Sequence, residues 1–179
     1  MPSRLFALLL LITSLSAVAV LAGQSPPDAQ TLNQLRKLFP SASGFSAKEG
    51  SVPVFRAYSG DPKAPSPTVL GFAFYTTELQ PLERAYDGPI KWLVGMTPAG
   101  RLTGVILVEH KEPFGNFSIE TDEFQNAFKN KDIRDDFKVG QDIDAISRAT
   151  ISVTSSARAI RNSARRVARA LLAPPSDPR

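Results

Sequence analysis

Four runs between residues 52 and 110 constrain this chain more than any other feature. They read VPVFRAY (52–58), TVLGFAFYTT (68–77), IKWLVGM (90–96) and LTGVILVEH (102–110). Each is rich in β-branched and aromatic residues, which suit a pleated, half-buried surface, and each ends at turn chemistry. GDPKAPSP (60–67) separates the first two and TPAGR (97–101) the last two. Short connections of that kind join antiparallel strands, so residues 90–110 read as a β-hairpin and the middle of the chain as an antiparallel sheet.

Helical spacing flanks the sheet on both sides. Leu32, Leu35, Leu38 and Phe39 share one face from Thr31 onward, and Pro40 stops the pattern. Phe124 and Phe128 lie at i, i+4 behind Thr121. Near the end, Ala157, Ile160, Ala164, Val167 and Leu171 step by 3, 4, 3 and 4, with Arg158, Arg161, Arg165 and Arg169 alongside. Ser155 or Ser156 reads as the N-cap of this last helix. The fold class expected is α+β, a twisted antiparallel sheet with packed helices. At 179 residues there is room for one such domain.

The first residues have a different texture. A lone Arg4 precedes a largely apolar run, and Val20 and Ala22 carry small side chains at signal-peptidase spacing. Residues 1–22 are expected to be a signal peptide cleaved before Gly23. The alternative is an N-terminal anchor, since residues 5–22 approach the length of a membrane span. The expected organisation is then a linker and short helix over 23–49, the domain over 50–172, and a disordered tail over 173–179.

Composition removes several function classes. The chain has no cysteine and one histidine, His110, which excludes disulfides, thiolate-bound zinc or iron–sulfur clusters, and multi-histidine metal sites. A Ser-His-Asp hydrolase would have to rest on His110 alone. The formal charge of +4 is unevenly spread. From Arg148 onward seven arginines face one aspartate, whereas residues 23–147 hold 13 basic and 16 acidic side chains. The arginine stripe is either a solvated face or a surface for an acidic redox partner or a membrane. No nucleic-acid partner is expected.

The stretch DAISRATIS (144–152) resembles the flavinylation motif of the FMN-binding domain family, Asp-x-x-Ser/Thr-Gly-Ala-Thr-x-Ser/Thr. That family includes the N-terminal domain of NosR and the NqrC and RnfG subunits. Asp144, Ser147, Ala149, Thr150 and Ser152 match, and Arg148 stands where the usual residue is Gly. YDGPIKWLVGMTPAGRLTGVILVEHKEPFG (86–115) is similar to the family's pocket-wall hairpin through Gly88, Pro89, Ile90, His110, Glu112, Pro113 and Gly115.

The resemblance implies a domain of NosR/NqrC/RnfG type with FMN held covalently through a phosphoester to Thr150. Asp144, Ser147, Arg148, Ala149 and Ser152 would surround the attachment point, where a guanidinium at 148 can pair with the phosphate. Gly88, Pro89, Ile90, His110, Glu112 and Gly115 would line the pocket. It implies a redox carrier rather than a stand-alone catalyst, exported to the periplasm and active in respiration. A flavin transferase would mature it, and its redox partner would be membrane-bound or periplasmic. The alternative is a non-flavinylated docking module that uses the arginine-rich helix. Taken alone, the residues also admit plainer roles: Ser155 and Ser156 as caps, His110 as a locally bonded side chain, and Trp92 as core.

Overall fold

The structure, a computed structural model, describes residues 26–79, 81–144 and 149–172. Residues 1–22, expected to be a signal peptide or anchor, Ser147, Arg148 and residues 173–179, expected to be a tail, lie outside the described residues. Five strands follow one another in a single antiparallel sheet: β1 (Gly44–Phe45), β2 (Phe55–Ser59), β3 (Thr68–Tyr75), β4 (Lys91–Met96) and β5 (Leu102–Glu109). Each strand pairs with its neighbour in sequence, as the short connections require. In the β4–β5 hairpin Trp92 stands opposite Leu107 and Val94 opposite Val105. Irregular pairing after Ala57, Lys91 and Gly95 interrupts the ladder; such irregularities locally increase strand twist.

Among the described residues three α-helices cover the sheet: α1 (Ala29–Leu38), α2 (Asp122–Asn126) and α3 (Thr150–Leu171). One face carries Phe72, Phe74, Trp92, Val94 and Met96, packed with Phe124 and with Val153, Ala157, Ile160, Ala164 and Val167 of α3. The opposite face carries Phe55, Ala73, Tyr75 and Leu93, packed with Leu35 and Leu38 of α1 and with Phe39. The inner strands β3 and β4 are therefore buried on both faces, which is why GFAFY and WLVGM are almost continuously apolar instead of alternating. Trp92 is fully buried, in the role of a core residue.

Small residues admit α1 to the sheet. A Cβ on Gly71 would lie 2.4 Å from the Phe39 ring and 2.5 Å from the Met96 carbonyl oxygen. On Gly95 it would lie 2.3 Å from Thr103 Oγ1 and 3.1 Å from Leu38 Cβ. The helix itself begins two residues earlier than the hydrophobic spacing alone suggests, because Asp28 caps it by accepting the Thr31 N–H at 2.7 Å.

The last helix corrects an expectation. Its first residue is Thr150 and its N-cap is Ala149, so Ser155 and Ser156 are not caps but buried interior positions. The apolar stripe continues back through Val153, and the Ser155 hydroxyl donates to the Arg84 carbonyl at 2.7 Å. Tertiary partners thus satisfy a serine that would otherwise compete with the helix backbone. Among the described residues no helix is long and apolar enough to cross a membrane.

Nor is the arginine stripe uniformly solvated. Arg165 donates through Nε to the Ile133 carbonyl at 2.6 Å and through Nη2 to that of Asp135 at 2.9 Å. Arg161 reaches the Asp136 carbonyl at 3.0 Å. These two side chains secure the 132–136 loop, whose Asp132 carboxylate accepts two bonds from the Arg134 guanidinium at 2.7 and 2.6 Å. That contact holds the Asp132 carboxyl well below the usual carboxylate range. Arg158 pairs with Glu83 at 3.3 Å, and Arg169 is exposed.

This packing sets the expected cost of three substitutions. Gly71→Ala is expected to cost about 1–3 kcal/mol, as overpacking does, because the Phe39 ring and the β4 backbone must both shift. Arg165→Gln is expected to cost about 1.5–3 kcal/mol, as loss of a charged donor does. Arg169→Gln should stay within about 0.5 kcal/mol. Urea denaturation monitored by Trp92 fluorescence measures all three.

Candidate functional site

The site grows from the turn that leads into β4. Within residues 85–88 the Ala85 N–H donates to the Gly88 carbonyl at 2.8 Å, and Gly88 adopts φ +113°, a conformation that glycine takes without steric cost. Tyr86 and Asp87 form the tip. Their N–H groups both point at the Glu112 carboxylate, at 3.3 and 2.9 Å, and the Ser152 hydroxyl donates to the same carboxylate. Glu112 is only 6% exposed. A buried carboxylate needs several donors to offset its lost hydration, and here three donors from two distant segments supply them.

His110 and Gly115 set Glu112 in place. The His110 Nδ1 accepts the Glu112 N–H at 3.0 Å while Nε2 lies 3.2 Å from Glu120. Gly115 sits so close to the imidazole that a Cβ would be 2.3 Å from His110 Cε1. With Gly88, Pro89, Lys91 and Arg84, His110 also borders a cleft of about 620 Å³.

Beside this clasp lies a second cavity of about 300 Å³, bordered by Tyr86, Phe114, Ala149, Thr150, Ile151 and Ser152. Thr150 is exposed at the first position of the 22-residue helix α3. Ala149 is buried and offers no side-chain cap, so among the described residues the first-turn N–H groups have no side-chain acceptor. Large apolar side chains are exposed around this spot: Tyr86 at 71%, Ile151 at 56% and Phe114 at 50%. Phe117 adds a ring 5.6 Å from that of Phe114.

The structure thus brings Gly88, Glu112, Thr150 and Ser152 together, with His110 and Gly115 one step behind. Ile90 is elsewhere: its side chain is in the core, and its carbonyl accepts the Thr76 hydroxyl at 3.1 Å. Asp144 is exposed and follows a loop held by Asp142, which accepts the N–H groups of Phe137 and Lys138. Ser147 and Arg148, both candidate residues, lie outside the described residues. No motif in the sequence singles out Tyr86, Phe114 or Ile151. Their significance is exposure, and aromatic or aliphatic identity alone does not reveal it. Among the described residues no cluster of three or more His, Asp or Glu could hold a metal ion.

Thr150 thus stands as an exposed hydroxyl at the start of α3, beside an apolar cavity and next to the Glu112 clasp. Residues 85–165 match the model of the FMN-binding domain family. Among curated proteins the chain is similar to the regulatory protein NosR of Stutzerimonas stutzeri, with 29% identity over 156 residues. The alignment covers 81% of this chain and 20% of NosR, so the chain spans about a fifth of the length of that relative.

Glu112→Ala would orphan two backbone donors and the Ser152 hydroxyl. The expected loss is about 3 kcal/mol or more, given the 1.5–3 kcal/mol typical of each bond to a charged group. Ser152→Ala, which leaves two donors on the carboxylate, should cost about 1–2 kcal/mol. A double-mutant cycle measured by urea denaturation should show the two changes to be strongly non-additive.

Proposed function

We propose that this is an exported electron-transfer flavoprotein domain in which Thr150 carries FMN through a phosphoester. In this reading it relays electrons between a membrane respiratory component and an extracytoplasmic acceptor. The observation that carries the proposal is the placement of Thr150: an exposed hydroxyl on the rim of an apolar cavity, at a helix start that lacks a side-chain cap.

The residues present suit the group. N–H groups at the start of α3 and the positive end of its dipole favour a phosphate esterified at Thr150. The exposed rings of Tyr86 and Phe114 offer apolar surface next to it. When bound, FMN supplies electron-transfer chemistry, and the chain holds it in place. For an exported carrier a covalent link also prevents loss of the cofactor by dissociation, and a flavin transferase would be the maturation partner.

A carrier fits better than a catalyst acting on a substrate of its own. His110 and Glu112, the neighbouring acid–base candidates, are both built into the clasp: the imidazole accepts the Glu112 N–H, and the buried carboxylate accepts three hydrogen bonds. For docking an acidic partner or an anionic membrane surface, α3 offers exposed Arg169, since Arg158 pairs with Glu83 and Arg161 and Arg165 hold the 132–136 loop.

Co-expression with a flavin transferase in an exporting host tests the linkage. Wild-type protein is expected to give a fluorescent band in a denaturing gel and an added FMN mass on the peptide spanning residues 144–158. Thr150→Ala should lose both, with a change in stability of about 0.5 kcal/mol or less, as for a surface site. A wild-type protein that never labels would instead support the docking module.

A further inference from the structure

We propose that Tyr86 and Phe114 form an aromatic clamp for the isoalloxazine ring of the flavin, a reading that rests on attachment at Thr150. Both side chains border the cavity that Thr150 opens into, and they are exposed to 71% and 50%. With Ile151 at 56% they group exposed apolar side chains around one cavity, and grouped apolar exposure on a folded surface marks a binding place. Flexible loops often expose aromatics, but these two sit on held backbones. The Tyr86 N–H is bound by buried Glu112, and the Phe114 carbonyl accepts the Ser118 hydroxyl at 2.7 Å. Ser118 is itself fully buried. The backbone that carries each ring is thus held before binding, which lowers the ordering cost of holding a planar ligand.

Geometry selects the occupant. A flavin tethered at Thr150 has its ring a short chain away from its phosphate, within the cavity that both aromatics share. Tyr86 also borders the 620 Å³ cleft beyond the 85–88 turn, so it stands between the two spaces. A planar, electron-poor ring system stacks favourably on phenol and phenyl faces. The Glu112 clasp consequently has a second consequence: the carboxylate that ties α3 to the turn also sets where Tyr86 stands relative to Thr150.

Flavin emission reads this contact directly, because a phenol stacked on isoalloxazine quenches it. Protein labelled by the transferase is compared native and denatured, for wild type, Tyr86→Ala, Tyr86→Phe and Phe114→Ala. Leu82→Ala, at an exposed apolar residue that borders neither cavity, is the control. The expected result is severalfold quenching in native wild type that is relieved by denaturation, a rise in native emission for Tyr86→Ala, a smaller rise for Phe114→Ala as the flavin loses the wall that presses it on the phenol, and no change for Leu82→Ala. Tyr86→Phe keeps the ring and removes the phenol, so it should retain the flavin absorption spectrum of wild type while gaining emission. That variant carries the test if Tyr86→Ala fails to label. Labelled variants whose native emission equals that of wild type overturn the clamp while leaving attachment at Thr150 intact. Absence of the band from wild type overturns the attachment and the clamp with it.

Discussion

The Glu112 carboxylate is the contact on which the site depends. It is buried, and it draws its hydrogen bonds from the tip of the 85–88 turn and from the first turn of α3. These segments are far apart in sequence, and no continuous element joins them. One acceptor with several lone pairs can hold both because a buried carboxylate without donors would be costly, so separating any partner is resisted. Ser155 reinforces the same union by bonding the Arg84 carbonyl one turn further along α3. Thr150 and Tyr86 face one cavity because of these bonds.

The sheet is the platform that lets a single carboxylate do this. Its two central strands are apolar on both faces, so α3 and α1 can press on it from opposite sides. Gly71 and Gly95 leave the space into which Phe39 and Leu38 descend. With α1 seated, the far face is closed, and α3 lies along the near face from Val153 to Val167. The N-terminal turn of α3 projects past the packed stripe, which leaves Thr150 and Ile151 exposed directly beside buried Ser152 and Val153.

Charge is distributed with the same division of labour. Arg161 and Arg165 cap backbone carbonyls of the 133–136 segment, and Arg134 neutralises Asp132 within it. The stripe of arginines visible in the sequence is therefore partly structural. The long guanidinium side chain serves this role well because its several donors reach carbonyls that a short side chain would leave unsatisfied.

By itself the sequence determined four of the five strands, β2 to β5, their antiparallel order, the apolar stripe of α3 and the motif around Thr150, while β1 lies in the segment that reads as a linker. These are local signals: β-branched runs, turn residues, a helical period and a short string of residue types. Only the tertiary structure decided where α3 begins, since Ser152 and Ser155 have hydroxyls that cap a helix or bond a distant segment with equal chemical ease. It also decided which arginines are engaged, that Ile90 faces the core, and that Tyr86, Phe114 and Ile151 stand exposed around one hydroxyl. Exposure and long-range hydrogen bonding depend on what other parts of the chain cover, and that information is absent from any single stretch of residues.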